Sequence, residues 1–235
     1  MSKLVIVTGG TKGIGRAVIE KFAAEGFDIV TCSRNASDLE KLKSLVEKNF
    51  PSINVHVNTA DLSRKKEVDT FCQFVKDLGR PIDVLVNNAG YFISGEIVFE
   101  PDDTLEKMIS ANLYSAYHTT RALIPMMIEL RGGHIFNMCS IASFMAYPNG
   151  GSYAISKFAL LGFSKCLREE VKTFGLKVTA VMPGAVLTES WEGTEHPPER
   201  FMKPQDVADA IYAAYTLSPN SLVEEIIIRP QLGDL

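Results

Sequence analysis

Short runs of β-branched and aliphatic residues alternate along this chain with longer stretches in which apolar side chains return every three or four positions. The runs at 3–8, 27–33, 53–58, 82–86, 134–139, 176–182 and 223–229 predict seven strands, the first of them buried. Between them the helical period predicts helices. One spans 13–25 and is closed by Gly26. The second runs to residue 50 and opens on Ser37-Asp38-Leu39-Glu40, which reads as a capping box. The third starts at Ser63 and ends near Gly79. Two more occupy 103–112 and 114–131, and Gly132-Gly133 stops them. A very apolar helix carries Tyr153 and Lys157 and runs to residue 174, with Gly175 closing it. Residues 183–203 have no period, and Pro204 opens a last helix to about residue 217.

Strands that alternate with helices predict an α/β fold. The expectation is a Rossmann-type, doubly wound, seven-stranded parallel sheet with helices on both faces, joined by right-handed crossovers. No shift of composition, repeat or long linker divides residues 1–235, which predicts a single domain. The stretch from Ala154 to Leu167 has only two charged residues, Lys157 and Lys165. A helix so apolar is covered on more than one side. The sheet covers one, and a second subunit is the expected cover for another, which predicts a homodimer or homotetramer. Neighbouring helices of the same chain are the alternative cover.

Composition narrows the classes. With 46% hydrophobic and 22% charged residues the chain reads as a globular protein. A formal net charge of -4 and the lack of a basic run argue against nucleic acid as a partner. Cys32, Cys72, Cys139 and Cys166 form no CxxC pair and fall in apolar elements. They read as reduced, buried thiols of a cytoplasmic protein. His56, His118, His134 and His196 are too scattered for a local metal site. The start of the chain lacks the features of a signal peptide. Residues 135–156 carry no charge, but Asn137, Pro148, Asn149 and several glycines and serines interrupt them. They read as a pocket wall rather than a membrane span.

The candidate chemistry begins at Tyr153 and Lys157. Four residues apart on a helix, they share a face. An ammonium beside a phenol is expected to favour the phenolate and lower the phenol's pKa. Upstream, Thr8-Gly9-Gly10-Thr11-Lys12-Gly13-Ile14-Gly15 lies between the first strand and the first helix. Glycines there let the backbone approach a pyrophosphate, and the helix N-terminus offers unpaired N–H groups to it. The second strand ends Ser33-Arg34-Asn35, without the acid that an NAD site places there. Arg34, with Lys12 converging on it, would suit the 2′-phosphate of NADP(H). Two solvated bases at a loop mouth are the alternative. Asp61, Asn87-Asn88-Ala89-Gly90, Ser140 and Pro183-Gly184 each follow a predicted strand, where such sheets bind ligands.

The set Gly9-x3-Gly13-x-Gly15, Asp61, Asn87–Gly90, Asn112, Ser140, Tyr153-x3-Lys157 and Pro183-Gly184 with Thr188 resembles the short-chain dehydrogenase/reductase family, ordinary-length branch, over essentially the whole chain. The resemblance implies Tyr153 as general acid in reduction or base in oxidation. It implies that Lys157 tunes the phenol and holds the nicotinamide ribose, and that Ser140 binds the reacting oxygen. Asn112 would anchor a water between Lys157 and solvent. Gly9, Thr11, Lys12, Gly13, Ile14, Gly15, Ser33, Arg34 and Asn35 would line the cofactor. So would Asp61 and Leu62 at the adenine, Asn88, Ala89 and Gly90 at the adenosine, and Pro183, Gly184, Val186 and Thr188 near the nicotinamide. No metal is implied.

The small-molecule carbonyl substrate is expected against Tyr91 and Phe92, Phe144, Met145 and Tyr147, and Trp191. The segment around Trp191 and the ending Arg229-Pro230-Gln231 look similar to bacterial sepiapterin-reductase-like members. Trp191 either stacks on a pterin or packs a lid. A 3-oxoacyl or broad carbonyl reductase is the alternative, and an NADP(H)-binding redox sensor is the non-enzyme alternative. No membrane partner is expected.

Overall fold

A computed structural model describes residues 2–191 and 193–235. Its sheet has seven parallel strands: β1 (Leu4–Thr8), β2 (Asp28–Ser33), β3 (Val55–Thr59), β4 (Val84–Asn87), β5 (His134–Met138), β6 (Lys177–Pro183) and β7 (Glu225–Ile228). They lie in the order β3-β2-β1-β4-β5-β6-β7. The helices are α1 (Gly13–Ala24), α2 (Ala36–Asn49), α3 (Lys65–Asp77), α4 (Thr104–Ile109), α5 (Ser115–Glu129), α6 (Gly151–Val171) and α7 (Pro204–Tyr215). Central β1 pairs with both β2 and β4, so Val5 sits between Ile29 and Val84. The chain leaves β1 towards β3 and then crosses back to β4. That reversal opens a crevice at the carboxyl ends of β1 and β4.

Strand periodicity divides the core in two. Val5 and Val7 pack with residues of α1, α2 and α7 on one face. Leu4 and Ile6 pack with residues of α3, α5 and α6 on the other. All five β1 residues are buried, because helices cover both faces of a parallel sheet. Burying a side chain such as Phe22 or Phe71 contributes about 1.5–3 kcal/mol. Side chains also cross between elements. Arg168 of α6 donates from Nε to the Val178 carbonyl at 3.0 Å and pairs with Glu224 at 3.1 Å, tying the helix to the sheet edge.

Several local expectations change. The cap of α2 is Asn35 rather than Ser37: its Oδ1 accepts the Ser37 and Asp38 N–H groups at 2.9 and 3.3 Å. The helix therefore starts immediately after the link from β2, and the acid at 40 lies beyond its first turn. The two stretches expected at 103–112 and 114–131 are joined without a break. A wide π turn, Ser110–Tyr114, connects α4 to α5 and keeps the backbone paired. Cys32, Cys72 and Cys139 are buried, but Cys166 is exposed, because it faces away from the sheet on α6. Ile155 and Phe158 of α6 are also exposed. Among the described residues no helix is long and apolar enough to cross a membrane.

Candidate active site

The glycine turn after β1 is shaped by what surrounds it. Gly9 has φ +68°, and a Cβ there would stand 3.1 Å from the Ala89 backbone. A Cβ on Gly15 would stand 2.5 Å from both Asn88 Nδ2 and the Gly9 carbonyl oxygen. Asn88 locks this turn: its Nδ2 donates to the Thr8 and Gly9 carbonyls at 3.0 Å each. Thr8 Oγ1 accepts the N–H groups of Asn88 and Ala89, each at 3.0 Å. The Asn88 side chain is thus committed to backbone and shapes the cleft rather than facing it with its amide. Lys12 occupies the cap position of α1 and makes no side-chain cap. The first N–H groups of that helix stay available to an anion.

A cleft of about 1100 Å³ runs from this turn along the carboxyl ends of the strands. Gly9, Thr11, Lys12, Gly13, Ile14 and Gly15 line it, as do Ser33, Arg34 and Asn35, Asp61 and Leu62, and Asn88, Ala89 and Gly90. Ser140, Tyr153 and Lys157 line it too, with Pro183, Gly184, Val186 and Thr188. So do Tyr91, Phe92, Met145, Tyr147 and Trp191. Two expected residues are outside it. Phe144 does not line the cleft; it follows the short helical turn Ile141–Ser143, which leaves it exposed. Asn112 sits behind the wall, 1% exposed. Its Oδ1 accepts the Tyr91 N–H at 2.9 Å, and its Nδ2 donates to the Tyr91 carbonyl at 3.1 Å and to Ser156 Oγ at 3.0 Å. It pins the segment after β4 to α6.

Lys12 also differs from expectation. Its Nζ lies 4.0 Å from Glu189, on the segment after β6. A Cβ on Gly13 would stand 3.0 Å from Thr188 Cγ2, so that segment leans on the glycine turn and draws Lys12 towards it. Glu192 of the same segment lies outside the described residues.

The electrostatics of the Tyr–Lys pair reverse one expectation. Lys157 is 7% exposed, and its Nζ donates to the Met138 carbonyl at 2.7 Å. Burial pulls its pKa down to about 8. Lys157 Nζ stands 5.6 Å from the centre of the Tyr153 ring. Burial instead pushes the Tyr153 phenol upward, and the Ser140 side chain opposes this only in part. Desolvation shifts both groups towards their neutral forms, because it disfavours the charged form of each. Phe92 closes one side of the phenol, edge to face at 4.8 Å.

Behind the site a buried polar row links strands and helices. Asn87 Nδ2 donates to Thr120 Oγ1 and Asn137 Oδ1 at 2.8 Å each, and Asn137 Nδ2 donates to Ser164 Oγ at 2.8 Å. This row ties β4 and β5 to α5 and α6.

The family model for short chain dehydrogenase matches residues 3–198. The chain belongs to the short-chain dehydrogenase family. An uncharacterized oxidoreductase of Staphylococcus epidermidis is 31% identical over 228 residues, covering 97% of each chain. Among solved structures, L-sorbose reductase from Gluconobacter frateurii in complex with NADPH and L-sorbose is 26% identical. Its TM-score is 0.88, with 97% of this chain and 95% of that one covered. A metagenomic short-chain oxidoreductase in complex with NADP is 27% identical, with a TM-score of 0.84 and 97% of each chain covered.

Cleft residues that the sequence did not suggest in this dehydrogenase include Asp38, Lys107 and Asp234. Asp38 sits in the first turn of α2 and was legible only as part of a cap. Asp234 pairs with Arg229 and lies against Gly184, a contact made by the tail folding back. Nothing in local spacing signals it.

Proposed function

We propose that this dehydrogenase is an NADP(H)-dependent carbonyl reductase that converts a ketone or dicarbonyl to an alcohol. The observation that carries the reading is the convergence of Ser140, Tyr153 and Lys157 on the cleft that begins at the glycine turn. The turn fits a dinucleotide: side chains are absent where a Cβ would collide, and the α1 N-terminus is uncapped. NADPH, when bound, supplies the hydride. Ser33, the last residue of β2, and Arg34 after it would hold the 2′-phosphate, where no acid at that strand end would repel it.

Hydride arrival at the carbonyl carbon leaves negative charge on the substrate oxygen. The Ser140 hydroxyl donates to that oxygen as the charge develops. The phenol of Tyr153, kept protonated by burial, gives its proton to the same oxygen. Lys157, with a pKa near 8, lies close enough to neutrality to carry a proton at this site. Asn112 holds the segment after β4 against α6 and so fixes the wall beside the phenol.

The substrate end of the cleft is bounded by Phe92, Met145, Tyr147 and Trp191, which suits a flat or acyl-bearing carbonyl. Trp191 meets Phe201 edge to face at 5.0 Å and also lines the cleft, which favours a substrate with a planar ring, such as a sepiapterin-like pterin reduced on its side chain. The exposed Ile155 and Phe158 on α6 support a homo-oligomer that covers them.

The test is NADPH consumption with a panel of diketones, sepiapterin and acetoacetyl thioesters, run on wild type and Tyr153→Phe. Turnover that falls about a hundredfold or more in the variant supports the acid role. A loss below about tenfold refutes it.

A further inference from the structure

Helix α6 begins without a cap of its own. Gly150 stands at the cap position and makes no side-chain hydrogen bond, so the first N–H groups of the helix need partners from elsewhere. Glu100, on the loop between β4 and α4, supplies one. Its carboxylate accepts the Ser152 N–H at 3.4 Å and the Ser152 hydroxyl as well. Ser152 is buried and Glu100 half-buried, so both bonds are partly withdrawn from water.

The rest of that loop closes on the same turn. The Gly95 N–H donates to the Asn149 carbonyl at 3.1 Å. Gly151 has φ +39°, and a Cβ there would stand 2.4 Å from the Gly95 carbonyl oxygen and 2.9 Å from Glu100 Oε2. Only glycine lets the loop approach this closely. Apolar burial does little of this anchoring: Ile97, Val98 and Phe99 are 64%, 81% and 80% exposed. The loop also carries Phe92, whose ring meets Tyr153, the residue next to Ser152.

We propose that Glu100 is a positioning residue for the reaction. Its carboxylate ties the loop after β4 to the first turn of α6. Phe92 and Tyr153 then form one wall, and the place where a carbonyl meets the phenol is fixed. The inference rests on the reading of Tyr153 as the acid.

The experiment compares wild type with Glu100→Ala, Glu100→Gln, Ser152→Ala and the double variant Glu100→Ala/Ser152→Ala. It measures kcat and KM on the best carbonyl of the panel, NADPH affinity by fluorescence, and hydrogen exchange at the amides of residues 152–156. Small misplacements of reacting groups lower rates steeply, so Glu100→Ala should lower kcat/KM about tenfold or more. Its NADPH affinity should hold within about twofold, because the glycine turn that binds the dinucleotide is built by Asn88 and Thr8. Amide exchange at 152–156 should quicken. Glu100→Gln, which keeps an acceptor, should recover part of the loss, and the double variant should be no worse than Glu100→Ala. A kcat/KM within about twofold of wild type overturns the proposal, as does NADPH affinity falling in step with activity. If wild type reduces no carbonyl, the reading of Tyr153 fails by itself. Exchange then decides for Glu100: faster exchange in Glu100→Ala supports the tie, and unchanged exchange overturns it.

Discussion

Replacing Lys157 with methionine should make the ligand-free protein more stable while abolishing carbonyl reduction. Lys157 is buried, and its pKa falls from 10.5 to about 8. At about 1.4 kcal/mol per unit, the folded state carries a penalty of about 3 kcal/mol for holding the ammonium at pH 7. Methionine has a similar length and no charge. It loses the bond to the Met138 carbonyl, and a buried acceptor left unpaired costs about 1–3 kcal/mol. The net gain is about 0–2 kcal/mol, or a rise of up to about 8 °C in Tm for a chain of this size. The pH dependence identifies the cause. A lysine whose folded pKa is depressed destabilises most below about pH 8, and the penalty fades as pH rises to 10.5. The advantage of Lys157→Met should therefore shrink between pH 8 and 10.5. Thermal melts of the ligand-free proteins across pH 7–10.5 measure it, with NADPH-dependent turnover measured in parallel. A variant less stable than wild type at pH 7, or a difference that does not change with pH, refutes the argument.

Three further outcomes can be checked. Gly15→Ala forces a Cβ to within 2.5 Å of Asn88 Nδ2 and the Gly9 carbonyl, so NADPH binding should weaken and stability fall by about 1–3 kcal/mol; a higher Tm, as helix propensity alone would give, would count against the locked turn. Arg34→Ala should weaken NADPH far more than NADH in fluorescence titrations, and equal losses would remove the case for a 2′-phosphate contact. His134 is buried at the start of β5, its pKa pulled from 6.5 down to about 3, with Nε2 2.7 Å from Thr179 Oγ1. A depressed histidine stabilises above its unfolded pKa and loses that contribution as pH falls from 6.5 towards 3. His134→Gln should flatten the fall of stability over that range in denaturant titrations, and an unchanged slope would exclude the burial effect.

Much of this protein is written in short-range pattern. Uniform apolar runs become strands because helices cover both faces of the sheet, and β1 shows the rule with five buried residues in five. Gly26 and Gly175 end their helices with φ of +80° and +78°, a conformation that glycine adopts without penalty. Tyr153 and Lys157 share a face because helical geometry requires it. The glycine turn was legible because a strand, a turn and a helix stand in sequence around it.

Other features depend on residues far apart in the chain. Lys157 lies four positions from Tyr153, yet its ammonium is bonded to the Met138 carbonyl on β5. Only the fold could reveal that partner, and only the fold shows the burial that pushes the phenol up rather than down. Asn112 is held by Tyr91 and Ser156, and Lys12 is drawn to Glu189, by contacts that cross between elements. Glu100 meets Ser152 across 52 residues of sequence. Sequence determines which side chains are available and which local geometry the backbone prefers. Tertiary packing determines which of them meet and how much water reaches them, because electrostatics and hydrogen bonding act through space and depend on burial.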